Sequence, residues 1–186
     1  MKRCESITEN IGIFVEHDIK HSPIQYESYL KDTPDFLRQA KNINKKEKLP
    51  PNAILVTLDI SGLYTNITHS EGINCTREAL NSQNHSQFST EFIIRLLELV
   101  LEYNIFEFDG EYYQQLIGTA MGSRLAPSYA NIFLANKIDL FIWKLSAKLK
   151  DEKVTFTKRF LDDLFLIFVG TTRKHHIFCD ELTKFI

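Results

Sequence analysis

The stretch FLDDLFLIF (residues 160–168) sets two adjacent carboxylates, Asp162 and Asp163, inside an otherwise apolar run. In such surroundings they repel each other. The simplest relief is a divalent cation, and hard oxygen ligands select Mg²⁺ over softer metals. A third carboxylate ends another apolar run: in LVTLDI (55–60), Asp59 stands where a central strand would leave the core. The plainer reading makes each a turn or strand-end aspartate, a common use of the residue. Against it, the flanks of 162–163 are apolar, the turn has no glycine, and a single Asp would have served. Three carboxylates drawn together can share two Mg²⁺ ions, with substrate phosphates supplying other ligands. Two such ions activate an attacking oxygen and stabilise a leaving one in an in-line displacement at phosphorus. The chemistry expected is phosphoryl transfer.

These acids need elements to bring them together. AILVTLDI (53–60) is short, apolar and β-branched, the pattern of a buried strand. KVTFTKRFLDDLFLIFVG (153–170) reads as strand, tight turn and strand, pairing 154–160 with 164–169 and leaving Asp162 and Asp163 at the tip. Around them lie helices. Ile7, Ile11, Phe14 and Val15 share one helical face, HSPIQ breaks that run, and Pro34 suits the first turn of a helix over 33–43. NKKEKLPPN (44–52) reads as a solvated linker. Thr68 and Glu71 have capping-box spacing, and apolar pairs repeat every four residues from Phe92 to Leu101. Asp109-Gly110 signals a hairpin. Pro127 opens a long helix to about Leu149, with Tyr129, Phe133, Phe141, Leu145 and Leu149 inward. A last helix runs from Arg173. The mixture is α+β, an antiparallel sheet covered on one face.

Composition narrows the class. The 186 residues are 44% apolar and 25% charged, enough for one domain with a real core. No apolar run approaches a membrane span, and the N-terminus turns polar too soon for a secretory signal. Cys4, Cys75 and Cys179 are odd in number and widely spaced, as in reduced intracellular thiols. The acceptor patterns at Asn66, Asn74 and Asn84 are then accidental. A formal net charge of −2 lacks the basic excess of a free-standing nucleic-acid binder, so any such role rests on local sites or on other segments.

Three stretches together resemble the catalytic motifs of reverse transcriptases: LVTLDISGLYTNI (55–67) the first, GTAMGSRLAPSYANIF (118–133) the second and RFLDDLFLIF (159–168) the third. The LYTNI after the aspartate, the GTAMG and APSYAN pieces and the upstream SYLKDTPDFL (28–37) are similar to Penelope-like retroelement reverse transcriptases, a sister group of telomerase. The resemblance covers about residues 24–186. It implies a right-hand polymerase palm, an antiparallel sheet packed on helices, with fingers incomplete and thumb absent. Residues 1–48 would be a helical N-terminal segment, part of the fingers or a connection. Residues 49–186 would be the palm, truncated after its third motif.

Carried over by residue, the resemblance implies that Asp59 and Asp162 bridge both Mg²⁺ ions, or Mn²⁺ in their place. Asp163 would assist, and the Ile60 carbonyl would contact the nucleotide-side ion. Backbone amides near Gly62 and Leu63 would meet the incoming triphosphate. Tyr64, five residues after Asp59, matches the gate against a ribose 2′-hydroxyl; the plainer alternative for a tyrosine is a half-buried core position. The second motif would form the floor under the templating base and nascent pair, Gly118 and Gly122 allowing close backbone approach. Met121 and Gly122 fall on the nucleotide side, Gly118 and Pro127 on the primer–template side. Met121 replaces a polar residue common there. Phe160 stands where many have tyrosine, keeping a ring under the primer end, with Leu161 beside it.

The function implied is RNA-directed DNA polymerisation, in which deoxynucleoside triphosphates extend a DNA primer on an RNA template. The partners are those nucleic acids and the fingers and thumb of a longer parent, with no membrane. An intracellular site is expected, and the nucleus by family. Two other readings stand beside it. One is a decayed or domesticated remnant acting as a binding module. The other is an RNA-templated RNA polymerase palm, against which Tyr64 speaks.

Overall fold

The computed structural model describes residues 7–46, 49–82, 87–149 and 153–185; Cys4, the Asn84 acceptor and the Glu47-Lys48 part of the linker lie outside them. The chain runs α1 (Glu9–Ile19), a 3₁₀ turn (Pro23–Gln25), α2 (Thr33–Lys46), β1 (Ala53–Asp59), α3 (Leu63–Asn66), α4 (His69–Asn81) and α5 (Thr90–Glu102). There follow β2 (Ile105–Phe108), β3 (Glu111–Gln114), α6 (Ala126–Leu134), a π-helical turn (Ala135–Asp139), α7 (Leu140–Ala147), β4 (Lys153–Phe160), β5 (Asp163–Val169) and α8 (Thr172–Phe185). They fall into two compact units, residues 26–61 with 134–186, and residues 1–25 with 62–133.

The first of these units holds the sheet, antiparallel throughout and ordered β1-β5-β4. Alternation assigns its faces. Leu164, Leu166 and Phe168 of β5 and Val56 of β1 are buried on one side, where Phe178 of α8 packs on Phe168 with ring centroids 5.5 Å apart. Each such aromatic contributes about 1.5–3 kcal/mol by leaving water. Ile138 and Ile142 join the same unit's buried set.

The other unit is helical, with the β2–β3 hairpin attached. Val15 and Ile19 of α1, Ile93, Leu97 and Leu101 of α5, and Tyr129 and Ile132 of α6 are almost wholly removed from water. Thr68 caps α4: its Oγ1 accepts from the Glu71 N–H at 3.4 Å and donates to Glu71 Oε2 at 2.8 Å. Ser89 caps α5. The hairpin turn has positive φ at both Asp109 and Gly110, the pattern of a type I′ turn. At Gly72 only glycine fits, because a Cβ there would lie 1.9 Å from the Tyr129 hydroxyl oxygen.

Four expectations are corrected. The buried stripe of α1 is Gly12, Val15 and Ile19, while Ile7 precedes the helix and is 84% exposed. The expected long helix is interrupted by the π turn, whose wider hydrogen-bonding step rotates α7 about the helix axis; Ile138 and Ile142 therefore take the buried positions expected of Phe141 and Leu145. β1 is not the central strand; β5 is, because it pairs with both neighbours. Finally, only Asp162 lies in the β4–β5 turn. Asp163 already belongs to β5 and pairs with Phe160.

Candidate active site

Asp163 also pairs with Asp59, the last residue of β1, and the Ile60 N–H donates to the Asp162 carbonyl oxygen at 3.1 Å. Cross-strand partners project from the same face with Cβ atoms about 4.5–5.5 Å apart. These acids, far apart along the chain, are thus neighbours, both exposed to solvent. The turn that carries Asp162 is strained: Leu161 has φ +54°, a conformation that a bulky side chain rarely adopts. Positive φ at the first of two turn residues alone is the sign pattern of a type II′ turn, which normally places glycine there.

The two carboxylates border a groove of about 490 Å³ over the same sheet face, lined also by Thr57, Lys158, Phe160 and Phe165, with Phe36 of α2 edge-on to Phe165 at 5.1 Å. Lys158 is only 6% exposed. Its Nζ donates to the Glu27 carbonyl and lies 5.4 Å from the Phe156 ring centroid. Burial pulls the Lys158 ammonium below the usual lysine range, against the opposing pull of Glu27, Asp35 and Asp139.

Arg159, next to it, points to the core face and is fully buried. Its backbone is held on both sides, N–H to Ser28 O at 2.7 Å and carbonyl from the Leu30 N–H at 3.0 Å. Its Nη2 lies 3.5 Å from Asp139 Oδ2, which also accepts from the Ser28 hydroxyl. Burial pushes the Asp139 carboxyl above its ordinary range, although Arg159 and Ser28 pull it down. These contacts fasten the strand that leads into the Leu161–Asp162 turn.

The other predicted residues lie in the helical unit. Gly62, at φ +65°, precedes the short turn Leu63–Asn66, with Leu63 buried and Tyr64 half-buried. Gly118, at φ +79°, and Thr119 run against that turn: Thr119 N–H donates to Tyr64 O at 2.7 Å and Gly118 N–H to Ile67 O at 3.0 Å. Met121 and Gly122 occupy the middle of an exposed turn closed by Ser123 N–H to Ala120 O, at 2.9 Å. Pro127 stands in the first turn of α6, where an amide hydrogen has no partner to lose.

The reverse transcriptase (RNA-dependent DNA polymerase) family profile matches residues 5–186. The chain belongs to that family. No curated protein matches it. Among solved structures, this reverse transcriptase chain is similar to apo telomerase from Candida tropicalis truncated from its C-terminal domain: 14% identity and TM-score 0.66, over 97% of this chain and 38% of that one. Telomerase from Candida albicans in complex with a TWJ fragment of telomeric RNA gives 12% identity and TM-score 0.65, over 95% and 32%. The corresponding Candida tropicalis complex gives 11% and 0.69, over 97% and 32%. The α+β polymerase fold expected from sequence is therefore the fold observed, and the chain spans about a third of the length of these relatives.

The donor set of this reverse transcriptase domain suits a hard divalent ion. Asp59 and Asp163 face one another, and among the described residues neither pairs with a cation. Among the described residues, no ready-made group of three or more His, Cys, Asp or Glu encloses a metal-sized site. Sequence reasoning missed Lys158, Arg159 and Asp139. The available signal was two consecutive cations inside a strand whose pattern called for burial. It also missed His69, whose contact with Gly118 has no local signature.

Proposed function

We propose that the chain carries the palm of a Penelope-like RNA-directed DNA polymerase, acting in the nucleus as part of a longer polypeptide with fingers and thumb. The observation that carries this reading is the register partnership of Asp59 and Asp163, with Asp162 next in the strained turn. Asp59, Asp162 and Asp163, with the Ile60 carbonyl, would hold Mg²⁺. When bound, the ions would activate the primer 3′-hydroxyl and offset charge at the phosphate being attacked. The chain's own residues do the rest. Phe160 offers its ring to the primer end from the groove rim, with Leu161 following it in the turn. Gly62 and Leu63 present amides to the triphosphate, and Tyr64 excludes a 2′-hydroxyl. Gly118, Met121, Gly122 and Pro127 belong to the floor under template and nascent pair.

The test is primer extension on an RNA template with Mg²⁺, comparing deoxynucleotides with ribonucleotides, in the full-length protein and in this chain. Deoxynucleotide addition that disappears in Asp59→Asn supports the reading. Absence of addition in the full-length protein, with RNA–DNA duplex still bound, supports instead a remnant that serves as a binding module.

A further inference from the structure

We propose that His69 is a positioning residue for sugar discrimination, its Nε2–H holding the Gly118 carbonyl and thereby keeping the Tyr64-bearing turn in place. The inference rests on the polymerase reading and adds to it a residue that lies outside the three motifs.

Three hydrogen bonds join the segment after Asp59 to the start of the second motif. Two are the backbone bonds from Gly118 and Thr119 to Ile67 and Tyr64. The third is His69 Nε2 to Gly118 O at 2.8 Å. A carbonyl only accepts, so Nε2 must carry the proton. Gly118 and Thr119 are buried, and a buried carbonyl left unmet costs more than a bond between exposed groups contributes. The two segments approach so closely that a Cβ on Gly118 would lie 2.3 Å from the Tyr64 carbonyl oxygen and 2.7 Å from Thr65 Cα. His69 is itself placed by the Thr68–Glu71 cap, since it is the first residue of α4. The imidazole thus ties the helix start to the Gly118–Thr119 segment that holds the Tyr64 backbone.

A gate that separates substrates by one hydroxyl works only if its ring cannot retreat. Releasing the Gly118 carbonyl lets residues 64 and 119 shift together, so ribonucleotides should gain while deoxynucleotides, which never press on the ring, lose little.

The experiment measures kcat/KM for a deoxynucleotide and the matching ribonucleotide with the full-length protein. In His69→Asn the shorter amide cannot span to Gly118, and the deoxy-to-ribo ratio should fall about five- to tenfold, the worth of one net hydrogen bond. In His69→Gln the donor reaches again, and most of the ratio should return. His69→Ser, which also lacks the reach, carries the same expectation as Asn should that variant not fold. A ratio equal to wild type in the short variants, or a Gln variant no better than Asn, overturns the inference while leaving the polymerase reading intact. No deoxynucleotide addition by the unmodified protein removes both.

Discussion

Asp59 and Asp163 stand directly opposite each other where β1 ends and β5 begins, two carboxylates on one sheet face with no cation between them among the described residues. Such a pair opposes folding by about 0.2–1 kcal/mol. Asp59→Asn and Asp163→Asn should each raise the unfolding free energy by about that amount. Asp59→Asn should also lower primer extension by more than about a hundredfold, since even indirect supports of a metal site are worth 10–100-fold. Millimolar Mg²⁺ should raise the melting temperature of the native protein and not of Asp59→Asn. Unfolding curves with and without Mg²⁺ check both.

The Leu161 backbone predicts a second effect. Positive φ in a bulky residue costs about 1–3 kcal/mol, whereas glycine adopts it freely. Leu161→Gly should be neutral or stabilising by up to about 1 kcal/mol, and Leu161→Val destabilising by about 1–2 kcal/mol. Chemical denaturation of the two variants distinguishes the expected order from the reverse order that side-chain size alone would give.

Arg159 and Asp139 offer a third. Taking the carboxylate from a buried guanidinium costs about 3–5 kcal/mol, while exchanging both for apolar groups is often neutral. Asp139→Asn should be strongly destabilised. Asp139→Leu combined with Arg159→Met should recover most of the loss. A double-mutant cycle measures the coupling.

Glu16 supplies a pH dependence. Its Oε1 accepts from the Ser128 hydroxyl at 2.9 Å, and its buried Oε2 has no hydrogen-bond partner among the described residues. Burial raises its pKa above the ordinary 4.5, against the lowering effect of Ser128 and Lys20. The folded state therefore holds this proton more tightly than the unfolded state. The resulting contribution to stability is present at low pH and is lost as pH rises from 4.5 through the raised value. Glu16→Gln keeps an acceptor for Ser128 and carries no charge. Its stability should exceed that of the native protein at pH 7, and its stability–pH curve should be flatter above pH 4.5.

Much of this fold is legible in the chain itself. The Thr68–Glu71 cap, the Asp109-Gly110 turn and the apolar repeat of α5 form as expected, because each depends on residues within four positions of one another. The three motifs, and with them the family, are likewise properties of short stretches in a given order. Sequence alone therefore determined which residues are acids, where helices start, and to what kind of protein the chain belongs.

The tertiary structure decided which of those residues meet. Asp59 and Asp163 are partners because β1 pairs with β5 in one register, and a slip by one residue would turn one of the acids to the other face. Burial of Arg159, the π turn that exchanges Phe141 for Ile138 and Ile142, and the reach of His69 to Gly118 depend equally on segments far apart in the chain. Local spacing encodes contacts between near neighbours through backbone geometry. Contacts between distant segments are selected by the whole core at once, and no short pattern can carry them.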